Sequence, residues 1–239
     1  MGAVFKREMG AYFSSAIGYV FLGIYLFLSG YLFVMSTFFS GSLDMVSLFS
    51  TIQIFLLILV PLLTMKMWSE EKKLKTDQAL LTAPVSLLQI TLGKYFAAFA
   101  VFGIAVSSSI LYTIILSFFG KLELLVIIGN IFGLLLLGGA MIAIGMFISN
   151  LTENQVVAAV GTIGVLIILQ LVGSIPLDSI GITWIKNALT SFFTAISIYS
   201  RFQGFSQGLF NYADAIYYLS VIAIFVFLTV RFLEIRRWK

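Results

Sequence analysis

The side chains that most often do chemistry in proteins are missing or isolated in this sequence. It contains no cysteine and no histidine, which excludes thiolate metal sites, Ser-His hydrolysis and the commonest general base. Gly93-Lys94 and Gly120-Lys121 lack the earlier glycine and the following Ser or Thr of a nucleotide-binding loop. We therefore expect no catalytic residue, metal or cofactor on this chain, which by itself is not an enzyme.

The composition predicts an all-α integral membrane protein. Hydrophobic residues make up 61% of the 239 residues and charged residues 10%, whereas an ordinary soluble domain has about 45–50% and about 25%. Six apolar stretches are long enough to cross a bilayer, and none alternates in polarity as a membrane strand would. They lie at about 17–39, 46–65, 95–119, 124–148, 156–175 and 215–230. We expect one transmembrane domain over 1–239, whose first stretch is a retained helix and not a signal peptide.

The basic residues predict which side of the membrane each loop faces. Two precede span one, five lie between spans two and three, and four follow span six: Lys6, Arg7, Lys66, Lys72, Lys73, Lys75, Lys94, Arg231, Arg236, Arg237 and Lys239. Lys121, Lys186 and Arg201 fall on the opposite side. Because positive charge accumulates in cytoplasmic loops, both termini are predicted to be cytoplasmic. Trp68 is expected at the inner membrane interface.

An amphipathic segment, 2–14, precedes the first span. Its apolar residues, such as Phe5, recur at helical spacing, with Lys6, Arg7 and Glu8 beside them. A helix of this kind lies along the membrane surface. It serves either as a membrane anchor or as an interface helix that docks a cytoplasmic partner.

The connection between spans two and three, 66–94, is the longest predicted on the cytoplasmic side. It opens with a charged helical stretch in which Glu70 and Glu71 precede Lys73 and Lys75 at a spacing that allows ion pairs along the helix. A plain turn needs only about 4–6 residues. We expect either an elbow that touches a partner or a solvated run of charges.

Proline and capping residues give this elbow its shape. Pro84 ends a helix, with Leu80 and Leu81 close to the corner. Ser86 followed by Gln89 has the form of a capping box for the helix that enters span three. By the same pattern, the sequence predicts a capping box formed by Thr152 and Gln155 before span five.

Two short apolar segments follow span five on the outer side and are too short to cross the membrane. We expect re-entrant or interfacial helices that form either an outer gate or a cap resting on lipid. The candidate gate residues are Trp184, Leu189, Phe192, Phe193, Phe202 and Phe205.

The predicted spans contain no charged residue, which argues against a proton pump or an ion-coupled carrier. Their polar residues, such as Gln53, Asn130 and Gln170, either join helices or line a path. In span four, Gly129 and Gly133 have the spacing that allows close contact between helices.

Two motifs carry a resemblance to a known family. The first is Lys6-Arg7-Glu8 with Tyr12-Phe13-Ser14-Ser15, and the second is Glu70-Glu71-Lys72, Thr76, Leu80-Leu81 and Pro84-Val85-Ser86. In this order along the chain they resemble the permease subunit of a bacterial ABC exporter of the second type. The runs 152–155 and 202–208 are similar to its gliding-motility-associated (GldF-like) branch.

The resemblance implies a permease of six spans in the bacterial cytoplasmic (inner) membrane, paired with a second permease chain as a homodimer or with a similar partner. It implies a separate ABC ATPase subunit that binds ATP and Mg, and an auxiliary extracytoplasmic subunit; no nucleic-acid partner is expected. The residues that the resemblance assigns to ATPase coupling are Glu70, Glu71, Thr76, Leu80, Leu81 and Pro84, supported by the interface-helix residues Phe5, Lys6, Arg7 and Glu8.

Two alternatives stay open. The chain could anchor or recruit an ATPase as a membrane scaffold without moving a substrate. The second alternative, an ion-coupled carrier or channel, is disfavoured by the absence of charged residues from the predicted spans.

Overall fold

The structure is a computed structural model that describes residues 1–41, 45–76, 78, 85–172 and 197–237. These residues form helices joined by turns, and no strand occurs among them. In chain order the helices are α1 Gly2–Ser14, α2 Ala16–Phe33 with a π-helical turn at Val34–Phe38, α3 Val46–Thr64, α4 Ser69–Lys73, α5 Leu87–Val106, α6 Ser108–Ser117, α7 Leu124–Leu151, α8 Gln155–Val172, α9 Ile198–Ser206 and α10 Tyr212–Arg237.

Six helical stretches in these ranges are long and apolar enough to cross a membrane. They are Ala16–Thr37, Val46–Lys73, Leu87–Ser117, Leu124–Leu151, Gln155–Val172 and Tyr212–Arg237. The chain is therefore an all-helical, multi-pass membrane protein in the part that the structure describes, as the composition predicts.

The third span begins earlier than its apolar stretch. Ser86 Oγ accepts a hydrogen bond from the backbone N–H of Gln89 at 3.3 Å, so α5 starts at Leu87 and not near residue 95. The predicted cap at Ser86 is confirmed. Its consequence is that Lys94 lies inside a helix, although its charge suggests a loop.

The turn before α8 differs from the prediction. Asn154 Oδ1 accepts from the N–H of Val156 at 2.9 Å, and Thr152 Oγ1 accepts from the N–H of Asn154 at 3.1 Å. Asn154 stands directly before the helix and is at least as good a cap as threonine. It therefore caps α8, while Thr152 tightens the preceding turn, and the capping box of Thr152 with Gln155 is wrong.

Helix α7 is the centre of the bundle, packed against α3, α5, α8, α9 and α10. Its glycines face these neighbours without room for a side chain. A Cβ on Gly145 would lie 2.3 Å from Thr64 Oγ1, one on Gly138 would lie 2.2 Å from the Phe102 ring, and one on Gly133 would lie 2.6 Å from Phe205 Cβ. Small residues of this kind let membrane helices approach closely. The close contact predicted at Gly133 is confirmed.

We predict that Gly145→Ala destabilises the bundle by about 1–3 kcal/mol, the usual cost of overpacking a core. The reason is that Thr64 is fully buried and β-branched, so it cannot move away from the new methyl group. The free energy of unfolding in a denaturing-detergent titration measures the loss. Gly103→Ala is the matched control, because its Cβ position has no atom within 4 Å. Equal stability of the two variants would contradict the packing argument.

Candidate functional site

We call the end of the bundle that contains α1, α4 and the last turns of α10 the basal end. Four charged side chains meet there: Arg7, Glu8, Glu71 and Lys94. Lys94 Nζ lies 2.9 Å from Glu71 Oε1 and 3.1 Å from Glu8 Oε1. Arg7 Nη2 lies 2.9 Å from Glu71 Oε1 and also pairs with Glu8. These four residues, the basal cluster, join α1, α4 and α5.

Because the basal cluster is largely buried, its charges must be neutralised by partners within the cluster. The Lys94 side chain is 2% exposed, and an ammonium taken out of water without a partner costs several kcal/mol. Glu8 and Glu71 balance the charges of Lys94 and Arg7. Burial alone would lower the pKa of the Arg7 guanidinium, but Glu8 and Glu71 outweigh it and raise that pKa.

Trp68 closes one side of this site. Its ring lies 5.1 Å from Lys94 Nζ, within cation–π range. Its side chain is fully buried, so the indole covers a buried charge and is not exposed on the surface of the bundle. A position of Trp68 at the inner membrane interface stays a prediction.

Close packing brings α1 to α5. A Cβ on Gly93 would lie 2.9 Å from Val4 Cγ1, so α1 rests directly on α5 one residue before Lys94. The Tyr12 hydroxyl donates to the Leu63 carbonyl at 3.1 Å and ties α1 to α3. Burial, with a smaller effect of Glu8, raises the pKa of Tyr12, so the hydroxyl stays a neutral donor.

The acids of α4 pair with a residue just before the helix and with residues of α1 and α5. Glu70 pairs with Lys66 at 3.5 Å, and Glu71 belongs to the basal cluster. Helix α4 ends at Lys73, and Lys75 has a positive φ of 57°. Because these partners engage both acids and Lys75 lies beyond the end of α4, no pair of Glu70 or Glu71 with Lys73 or Lys75 occurs among the described residues, and that prediction is wrong.

The opposite side of α4 is joined to α7 and α10. Lys72, 4% exposed, donates to the backbone carbonyl of Asn150 and lies 5.2 Å from the ring centre of Phe232. Asn150 Nδ2 donates in turn to the Thr229 carbonyl at 3.4 Å. Glu71 and Lys72, consecutive residues, therefore connect α4 to two different groups of helices.

Ser149 supports the turn that leads into α4. Its Oγ accepts from the backbone N–H groups of Trp68 and Ser69 at 3.1 and 3.2 Å and donates to the Met65 carbonyl at 3.0 Å. Three backbone groups of a buried turn are satisfied by one side chain, as buried backbone requires.

An open groove of about 380 Å³ runs between α1 and α4 beside the basal cluster. It has charged walls and an exposed apolar residue, Leu74, at its edge. The lining residues are Arg7, Glu8, Ala11, Tyr12, Ser14, Ser15, Ile17, Lys66, Met67, Glu70, Glu71, Leu74 and Lys94.

The predicted coupling residues are only partly brought together. Arg7, Glu8 and Glu71 meet in the basal cluster, while Lys6 and Thr76 are exposed. Phe5 packs against the core. The remaining predicted residues, Leu80, Leu81 and Pro84, lie outside the described residues.

Sequence reasoning missed Lys72 and Lys94 as buried residues of this site. The signal for Lys94 was present, because the cap at Ser86 places it two turns inside a helix. Lys72 had no local signal, since Asn150 and Phe232 are its partners only in the folded chain.

At the other end of the bundle, α9 fills a depression in α7. Phe202 and Phe205 are both 1% exposed, and Phe205 packs on Gly133. Asn130 Nδ2 donates to the Ser206 carbonyl at 3.1 Å, and the Tyr218 hydroxyl donates to the Ile198 carbonyl at 2.7 Å. The other candidate gate residues, Trp184, Leu189, Phe192 and Phe193, lie outside the described residues, so the outer gate stays a prediction.

Comparison of the sequence with protein-family models and with curated proteins finds no significant match. Within the described ranges, no group of three or more acidic, histidine or cysteine side chains could hold a metal ion. The function must therefore be argued from the geometry of the basal end together with the sequence.

We predict that Glu8→Gln combined with Glu71→Gln destabilises the protein by about 3–5 kcal/mol, because it leaves the Lys94 ammonium buried without a carboxylate. Adding Lys94→Met to this double variant should restore most of the loss, since no buried charge then remains. Unfolding free energies in a denaturing-detergent titration give the three values.

The matched control is Glu70→Gln, which removes a carboxylate from the more exposed pair with Lys66. We expect a change of only about 0–1 kcal/mol there. If adding Lys94→Met to the double variant restored none of the lost stability, the electrostatic account of the basal cluster would be contradicted.

Proposed function

We propose that this chain is the membrane-spanning permease subunit of an ATP-driven ABC exporter of the second type, coupled to a separate ATPase subunit. The observation that carries the proposal is the basal cluster, in which Glu71 of α4 is held against Lys94 of α5 and Arg7 of α1. A solvated connector would leave its charges in water. Here they fix α1 and α4 to the spans as one unit.

A rigid unit of this kind suits a membrane protein whose movement is driven by a separate subunit. The sequence has no nucleotide-binding loop, so ATP and Mg belong to the partner. A force applied to α4 reaches the spans only if α4 is fastened to them, and the ion pairs of Glu71 and the contacts of Lys72 fasten it on two sides. Fastening of this kind supports a coupling role for the elbow.

The face that we propose for the ATPase is the groove between α1 and α4 with the exposed residues next to it. Leu74 is 64% exposed, and the groove that it borders is also lined by the charged residues Arg7, Lys66 and Glu70. An apolar residue in a charged surround is typical of an interface between proteins that also exist apart. Leu80, Leu81 and Pro84 follow α4 in sequence and lie outside the described residues, so we keep them as proposed coupling residues on the sequence alone.

The proposed setting is the bacterial cytoplasmic membrane, with both termini and the basal end in the cytoplasm. Most basic residues precede the first span, lie between spans two and three, or follow the last span, as the positive-inside rule requires for that orientation. We propose a second permease chain, of the same or a similar sequence, and an auxiliary extracytoplasmic subunit as further members of the complex.

A membrane scaffold that recruits the ATPase without transport is the alternative. Both functions need a docking face, but only a permease needs α4 to move the spans. The two are separated by reconstituting the chain with its ATPase in vesicles: ATP turnover that responds to a transported substrate supports the permease. The purified chain alone should show no ATP hydrolysis.

The orientation is tested by labelling single cysteines. The chain has no native cysteine, so Lys73→Cys and Arg237→Cys should react only from the cytoplasm and Tyr212→Cys only from the outside. All three positions are exposed. Arg201 is avoided because it pairs with Asp214 at 2.7 Å. Reaction of positions 73 and 212 from the same side would exclude the proposed topology.

Docking is tested by truncating the leucines after α4. Burying a leucine contributes roughly 1.5–3 kcal/mol, so Leu80→Ala with Leu81→Ala should weaken ATPase binding about tenfold to a hundredfold. Co-purification of the ATPase at matched permease levels measures this. Glu70→Ala should have a smaller effect, because exposed ion pairs contribute about 0–1 kcal/mol.

The matched control is a double leucine-to-alanine substitution at the other end of the bundle. Leu124 and Leu209 are both exposed there, and Leu124→Ala with Leu209→Ala should leave the ATPase bound. If the Leu80 and Leu81 variant keeps its ATPase equally well, these leucines are not the docking contact.

A further inference from the structure

We propose that Lys72 is a positioning residue that transmits movement of α4 to α7 and α10. The inference rests on the proposed function only for the source of that movement. Its structural basis is a continuous path from the Lys72 ammonium to the Asn150 carbonyl and from the Asn150 side chain to the Thr229 carbonyl. The path reaches the last span without passing through α5.

Helix α4 is a junction because consecutive residues point to different neighbours. Glu71 faces α1 and α5 through Arg7, Glu8 and Lys94. Lys72 faces α7 and α10. Since successive residues of a helix project about 100° apart, a five-residue helix can hold both contacts only if it is fixed between the two groups.

The chemistry at Asn150 favours a cation. Asn150 is next to the last residue of α7, where backbone carbonyls lack a partner within the helix. The negative end of the helix dipole lies at the same point. The Phe232 ring adds a cation–π contact at 5.2 Å. A neutral side chain of the same length would lose all three attractions.

Burial makes this connection stiff. Lys72 is 4% exposed and Asn150 is fully buried, so water cannot readily replace the bond between them. The neighbouring Lys73 and Lys75 are exposed and serve as reference positions.

The experiment measures distances by spin labelling in the full chain, purified in lipid nanodiscs. Labels at Lys73→Cys and Ile235→Cys report the position of α4 relative to α10, and labels at Lys73→Cys and Lys6→Cys report its position relative to α1. All three sites are exposed. The variants are Lys72→Met, Lys72→Arg as the conservative rescue, and Lys75→Met as the matched control.

We expect Lys72→Met to replace the single narrow distance between positions 73 and 235 with a broad distribution, while the distance between positions 73 and 6 stays narrow. Lys72→Arg and Lys75→Met should keep both distances narrow. An unchanged distance between 73 and 235 in Lys72→Met overturns the proposal, and so does broadening of both distances, which would mean that α4 has merely unfolded.

A second variant keeps the test decisive if Lys72→Met does not insert. Lys72→Gln keeps a polar side chain but removes the ammonium and its reach to the Asn150 carbonyl, so it should broaden the distance between 73 and 235 alone. A narrow distance in Lys72→Gln would then overturn the proposal.

A further label pair separates this inference from the proposed function: Gly10→Cys on α1, which is exposed and does not line the groove, with Ile235→Cys. With the cognate ATPase bound and trapped by ATP and vanadate, the distance between positions 10 and 235 should shift in the otherwise unmodified chain and in Lys72→Arg, and this shift should be lost in Lys72→Met. Failure of the ATPase to co-purify would count against the proposed function and leave the distances in the chain alone as the test of Lys72. A normal shift in Lys72→Met would overturn the transmitting role.

Discussion

The buried positive charge of Lys94 on α5 is the constraint on which the structure of the basal end depends. A buried ammonium needs compensating partners, those of Lys94 are carboxylates, and α5 itself contains no Asp or Glu to supply one. Glu8 must therefore come from α1 and Glu71 from α4. This requirement holds α1 and α4 against α5, where α1 lies on Gly93 with no side chain between them.

The body of the bundle answers a related constraint with different chemistry. Lipid tails are as apolar as the helices, so burial of apolar surface gives little drive for helices to associate. Helix association therefore depends on close van der Waals packing, and the glycines of α7 allow α3, α5 and α9 to pack closely against it. The few polar residues between helices act in the same way: Asn130 holds α9 by a side chain bonded to the backbone of the neighbouring helix.

The sequence predicts what is local and misses what depends on distant partners. Hydropathy locates six spans because each is a continuous run, and Ser86 is recognisable as a cap because its partner, Gln89, is three residues away. The basal cluster joins residues more than 60 positions apart, Arg7 to Glu71. Its acids therefore look free for a partner when read from the sequence, and Lys94 looks like a loop charge. The start of α8 shows that local signals can also conflict, since Thr152 and Asn154 are both good caps and lie two residues apart just before it.

The two sides of α4 also differ in how easily their contacts can be exchanged. Arg7 is half exposed, whereas Lys94 is shielded by Trp68 and both carboxylates. A partner that approaches the groove can therefore compete for Arg7 while Lys94 keeps Glu8 and Glu71. On the opposite side Lys72 and Asn150 are closed to water, so that contact is kept whenever α4 moves. An exchangeable contact facing the groove and a fixed contact facing the spans give α4 a direction: under the proposed function, binding is sensed on the side of α1 and movement is delivered on the side of α10.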